Sequence, residues 1–181
     1  MNEMLEKILE EDKDFTEAKF KAKVDNMYIQ IFTAIMKQDL IRVKHFLSDE
    51  LYKKFENQVT NLQNNNLVQI YGELNVSDTN IVEIQENKDN FEIHITLLTK
   101  YLDYKIDKNT KQIISGNSEI RIEKYKKLIL TKIKEAKELG ISRTCESCGA
   151  NLDINMNGRC TYCGTVFNLE NYDWIIKDIT D

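Results

Sequence analysis

At Leu67 the spacing of apolar residues changes from a period of about 3.6 to a period of about 2. A segment patterned for one period cannot keep a single face buried in the other, so this switch divides the chain into helices followed by strands. Before it, Met4, Leu5, Ile8 and Leu9 form a short stripe on an acidic helix. Thr16 is placed to cap a second helix, with Lys19 where a capping box would carry Glu. That helix carries Phe20, Val24, Met27, Tyr28, Ile31, Phe32 and Ile35 along one face. Gln38 and Asp39 interrupt it, and Leu40, Val43 and Leu47 follow on one side of a short helix. Ser48 caps the last helix, whose apolar side is Leu51, Phe55, Val59 and Leu62, and Asn64, Asn65 and Asn66 end it.

Beyond the switch, Val68, Ile70, Leu74 and Val76 alternate with polar residues. The composition predicts a turn at 77–80, a second strand at 81–86 and another turn at 88–90. A long third strand has Phe91, Ile93, Ile95 and Leu97 on one face and Glu92, His94 and Thr96 on the other. The adjacent Leu97 and Leu98 break the alternation and predict a bulge. A hairpin at 107–110 leads to a fourth strand from Gln112 to about Thr131, and residues 132–139 fit either period. Helices first and an antiparallel meander second give an α+β domain over residues 1–140. The expected architecture is N-terminal helices packed on a curved, cone-like four-stranded antiparallel sheet.

Residues 141–181 carry a different signal. Cys145 and Cys148, then Cys160 and Cys163, form two C-x-x-C pairs, each followed by a glycine, Gly149 and Gly164. Two intervening residues let both thiolates of a pair reach one ion, and a glycine at positive φ lets backbone amides point at the sulfurs. The four cysteines are therefore expected to hold one structural zinc in a small ribbon, with Asn157 and Gly158 as its hairpin turn. Four thiolates leave no open position for water, which argues against a catalytic metal. An iron site uses the same ligands. Paired disulfides conflict with the charged N-terminus, which has no signal-peptide pattern. Trp174, with Tyr172, Ile175 and Ile176, is expected in a short strand after the second pair, packing the ribbon against itself or against the larger domain.

The net charge of -5 lowers the expectation of nucleic-acid or anionic-lipid binding. The ribbon repeats this locally, since acidic residues outnumber Arg143, Arg159 and Lys177 there. Lys124, Lys126, Lys127, Lys132 and Lys134 form a basic cluster elsewhere, read as a solvated face. Peripheral membrane contact through the first helix is disfavoured by Glu3, Glu6, Glu10 and Glu11. With no apolar run long enough to span a bilayer, the expected location is cytoplasmic. His45 is read as a surface or cap residue, and His94 as solvated on the polar face of its strand. Neither has a carboxylate partner evident from the sequence, and no nucleophile-base or phosphate-loop signature is present.

Several stretches resemble a known family. Residues 11–15 leading into Phe20, then FTAIMKQDL (32–40) and LSDELYKKF (47–55), resemble the bacterial Tim44-like domain. Tyr104 to Asp107 and Ile114 to Gly116 resemble its Y-x-V-D…V-x-G hairpin. The segment from Cys148 through Ile176 is similar to the zinc ribbon appended to certain bacterial members; Ser147 in the first cysteine pair and Asn151 stand where prolines are usual. The resemblance implies the nuclear-transport-factor-two-like cone. It also implies kinship with a mitochondrial protein that tethers a chaperone motor to a translocation channel and touches the membrane with its first helices. The function expected on this basis is a non-enzymatic adaptor or scaffold that binds a protein, peptide or lipid chain through an apolar cone pocket. The alternative is a small-molecule-binding protein or enzyme using the same cavity.

Overall fold

The computed structural model describes residues 2–134, 143–145, 148–152, 159–165, 170 and 173–181. Three helices, α1 (Asn2–Glu11), α2 (Glu17–Lys37) and α3 (Asp49–Asn64), pack on a four-stranded antiparallel sheet. Its strands are β1 (Leu67–Glu86), β2 (Asn90–Asp107), β3 (Ile113–Ile133) and β6 (Ile175–Thr180), in the order β1-β2-β3-β6. Two-residue strands β4 (Arg143–Thr144) and β5 (Asn151–Leu152) pair with each other between β3 and β6.

The helix boundaries follow the capping chemistry. The Thr16 hydroxyl accepts a hydrogen bond from the Lys19 amide at 3.2 Å, and Ser48 does the same for Leu51 at 3.2 Å. All seven predicted face residues of α2 and all four of α3 are buried. Gln38 ends α2 in the left-handed region, at φ 55°, and its side-chain amide donates to the Leu67 carbonyl at 2.8 Å. The end of the helix is thereby tied to the start of the sheet. The short helix after it is two 3₁₀ turns, Leu40–Arg42 and Lys44–Phe46. An aromatic run crosses the core from α2 to the sheet: Tyr28 on Phe32 (4.3 Å between ring centroids), Phe32 on Tyr71 (4.8 Å) and Tyr71 on Tyr101 (5.6 Å). Three of the four stripe residues of α1 are spent on the protein, with Ile8 buried and Met4 and Leu5 packed against the core, while Leu9 stays exposed. Ion pairs Lys7–Glu86 (2.6 Å) and Lys132–Asp12 (2.7 Å) hold this end of the chain to the sheet.

Three local expectations are corrected. Residues 77–80 are not a turn: β1 continues through them with Ser77, Asp78 and Asn80 exposed at the sheet edge and the buried Thr79 donating its hydroxyl to Asp25 of α2, and with register shifts between Gly72 and Asn75, Val76 and Asp78, and Ile81 and Glu83. Leu97 and Leu98 make no bulge. Leu97 is buried and Leu98, on the opposite face, pairs with Tyr125 in unbroken register with β3; against β1 the register shifts just beyond Leu98, where Ser77 is the extra residue between Val76 and Asp78. Against β3 the register of β2 shifts between Tyr101 and Asp103, opposite an excursion of β3 between Asn117 and Ile122, and again between Lys105 and Ile106. Residues 112–131, expected as the last strand of the sheet, form the third. The apolar residues through 133 continue it, because β2 supplies partners as far as Ile133.

The fourth place in the sheet belongs to β6. It pairs with Lys127–Thr131 of β3, and its outer edge is capped by the entrance to α3. Ser48 donates its amide to the Ile176 carbonyl and its hydroxyl to Lys177, both at 2.9 Å, and the Lys54 ammonium reaches the Ile179 carbonyl at 2.9 Å. Trp174, just before β6, is buried against Phe20 (5.2 Å, edge-on) and Phe15 (6.4 Å). Lys23 pairs with Asp173 beside it. The chain thus leaves the sheet after β3 and is firmly returned to it at Asp173.

Candidate metal centre

Between those two points lie the cysteines. Their sulfurs all fall within 4.8 Å of one another. Cys145 Sγ is 3.6 Å from Cys163 Sγ, and Cys148 Sγ is 3.7 Å from Cys160 Sγ. A disulfide needs about 2.05 Å, so all four are free thiols. A tetrahedron with metal–sulfur bonds of about 2.3 Å has edges of about 3.8 Å, so this donor set fits one tetrahedral ion. Cys145 and Cys160 are buried while Cys148 and Cys163 are exposed, which places the centre at the surface with one cysteine of each pair underneath.

The two pairs are built alike. The Cys145 amide donates to the Ala150 carbonyl and the Gly149 amide to the Cys145 carbonyl, both at 2.7 Å. In the second pair the Cys160 amide donates to Thr165 and the Gly164 amide to Cys160, both at 2.9 Å. Such a turn requires positive φ at the glycine, 69° at Gly149 and 74° at Gly164. A Cβ at either would meet nothing within 4 Å, so conformation and not space selects glycine there. β4 and β5 frame the first turn through Arg143–Leu152 and Thr144–Asn151 pairing. The predicted hairpin turn at Asn157 and Gly158 lies outside the described residues.

Sulfur contacts from the residues just after each pair complete the site. The Thr165 hydroxyl, 3.1 Å from Cys163 Sγ, and the Thr165 amide together hold that thiol down to about 6. The Ala150 amide acts on Cys148 in the same sense, but desolvation and proton sharing with the other three thiols push it up to about 12. Four thiols this close cannot all ionise without a compensating cation, which is the chemistry a dication supplies. Ala150 and Thr165 were not singled out in the sequence, although each stands two residues after the second cysteine of its pair, where the turn aims an amide at sulfur.

The histidines lie elsewhere. His45 is buried, contrary to the surface position expected for it, and packs edge-on to Phe46 at 4.8 Å; burial lowers its pKa. The 3₁₀ turn carries it inward with Phe46. His94 is half-exposed on the polar face of β2, with Nε2 4.0 Å from Glu92 Oε2. Glu92 is itself engaged by Lys177 at 2.6 Å. The basic cluster resolves into separate ion pairs: Lys126 with Asp181, Lys132 with Asp12, and Lys134 with Glu86. No helix among the described residues is long and apolar enough to cross a membrane.

The family model for the Tim44-like domain matches residues 1–127, from α1 into β3. Comparison with curated proteins finds no match. The cysteine centre and β6 lie beyond the matched span.

Proposed function

The chain belongs to the Tim44-like domain family, and from that premise we propose a non-enzymatic scaffold for a protein or peptide partner, with a C-terminal ribbon folded around one structural zinc. Family membership is the observation that carries the scaffold reading. The ribbon reading is supported by four thiols converging on one point. Cys145, Cys148, Cys160 and Cys163 would all be ligands, and the saturated ion would supply folding free energy in place of a core. The division at about residue 140 is part of this proposal, with the ribbon leaving the sheet after β3 and returning to it at β6. The apolar cone surface expected for a partner's side chain or a lipid chain is part of the same proposal, as is placement in the cytoplasm.

Metal analysis of the purified chain tests the ribbon: one zinc per chain is expected, and iron in its place would change the metal. Site-specific photo-crosslinking in the native host tests the scaffold, with a discrete protein adduct expected. Stoichiometric co-purification of a small molecule that the protein converts would instead support the enzyme reading.

A further inference from the structure

The four thiols carry an inference that rests on the zinc reading and adds a reaction to it. Cys148 and Cys163 are exposed, and so are Gly149 and residues 161–165 around them, so a small solute reaches both sulfurs from solvent. Cys145 and Cys160 lie beneath, 4% and 3% exposed. The 3.6 Å and 3.7 Å sulfur contacts both cross from one pair to the other. Each joins an exposed sulfur to a buried one, Cys163 to Cys145 and Cys148 to Cys160. A disulfide forms at about 2.05 Å, so each contact closes by a movement of about 1.6 Å. That is a displacement on the scale of a side-chain rotation.

A sulfur that ligates a dication is a thiolate, the form that attacks peroxide. An exposed thiolate takes one oxygen from hydrogen peroxide and becomes a sulfenic acid, and hydroxide leaves. The buried thiolate across the pair then attacks that sulfur, the S–S bond forms, and a second hydroxide leaves. Two sulfurs are oxidised and one peroxide is reduced, to two hydroxides that take up two protons as water. A second peroxide does the same at the other contact, and the ion, left without ligands, departs as the dication.

We propose that Cys148 and Cys163 are peroxide-reactive sites through which the ribbon exchanges its zinc for two crossed disulfides, Cys148–Cys160 and Cys145–Cys163. Pairing within each C-x-x-C would leave the two turns unlinked once the ion is gone. The crossed links instead span 12 and 18 residues and hold the turns together. Trp174 and β6 are held by α2 and α3, so the sheet does not depend on which form the ribbon takes. A thiol reductant reverses both links and restores the four ligands. The ribbon is thereby a reversible, peroxide-responsive element of the scaffold.

The full reduced chain, loaded with zinc, is titrated with hydrogen peroxide, and zinc release is read with a chromogenic chelator against a peroxide-free baseline. Release should be complete at about two peroxides per chain, because four cysteines form two disulfides. Dimedone, which traps sulfenic acid, should label Cys148 or Cys163. Trypsin cuts after Arg143, Arg159 and Lys177, which puts each pair on its own peptide. The two peptides should be recovered joined, and chains stopped at one peroxide should carry Cys145–Cys163 or Cys148–Cys160. Dithiothreitol with added zinc should return the starting form. Two separate peptides each closed on itself, a Cys145–Cys160 or Cys148–Cys163 link, label on Cys145 or Cys160, or zinc retained in a large excess of peroxide would each overturn the proposal. A reduced chain that binds no zinc sinks the zinc reading and this inference with it; a loaded chain that fails these tests sinks this inference alone.

Discussion

Trp174→Ala should be the most costly single substitution outside the helical core. The indole is 2% exposed and sits against Phe20 and Phe15 at the point where the chain re-enters the sheet. Truncating a buried Trp costs about 3–5 kcal/mol, from lost transfer free energy and the cavity left behind. Trp174→Phe separates ring packing from polarity. The indole Nε1 is buried without a hydrogen-bond partner among the described residues. Removing such a donor relieves about 1–3 kcal/mol of desolvation cost, against a similar loss from the smaller ring. The phenylalanine variant should therefore lie within about 1 kcal/mol of the parent. Because Trp174 is the only tryptophan, urea unfolding must be followed by far-UV circular dichroism. Amide exchange adds the location, since in Trp174→Ala the β6 amides should exchange faster than those of Ile93 and Ile95 in β2. Equal destabilisation by Phe and Ala, or a loss below about 1 kcal/mol for Ala, would refute the packing argument.

Other outcomes follow from the same geometry. A strong chelator, or Cys148→Ser, should remove the bound metal while tryptophan emission stays blue-shifted, because Trp174 is buried in the helix–sheet core and not in the ribbon; a red shift to the solvent-exposed range would show that the metal holds β6 in place. Gly116→Ala should destabilise clearly more than Gly149→Ala in thermal melts. Both glycines have positive φ, costing about 1–2 kcal/mol for alanine, but only at Gly116 would the new Cβ strike the Asp103 carbonyl and lie 2.6 Å from Tyr104 Cα. Hydrogen bonds from Lys134 and Lys7 hold the Glu86 carboxyl down from 4.5 to about 2. A depressed folded pKa stabilises above the unfolded value, so this contribution is complete above about pH 4.5 and is lost as the pH falls toward 2. Carboxyl titration by NMR should show that low midpoint, and Lys134→Ala should raise it.

The helices were legible because their signals are local. Thr16 and Ser48 cap where their hydroxyls can reach an amide three residues on, and apolar residues spaced for one face can be buried only as that face. The glycine-terminated cysteine turns were legible for the same reason, and their convergence on one point follows from two copies of one short motif. Polarity misled at residues 77–80, since an edge strand satisfies the side chains of Ser77, Asp78 and Asn80 in water without needing a turn. His45 misled because the inward sense of a 3₁₀ turn cannot be read from an alternation of Lys, His and Phe.

The α+β class, the buried faces of α2 and α3, and the four candidate ligands can be read from the order of residues alone. Each depends on spacing within a few turns of chain. That β6 takes the fourth place in the sheet, and that Trp174 packs between α2 and the turn before it, was settled in the folded chain. Those features depend on a strand meeting its partner more than forty residues away. Its place beside β3 is held by Ser48, Lys54 and Phe20 on elements distant in the chain. No local period encodes that meeting.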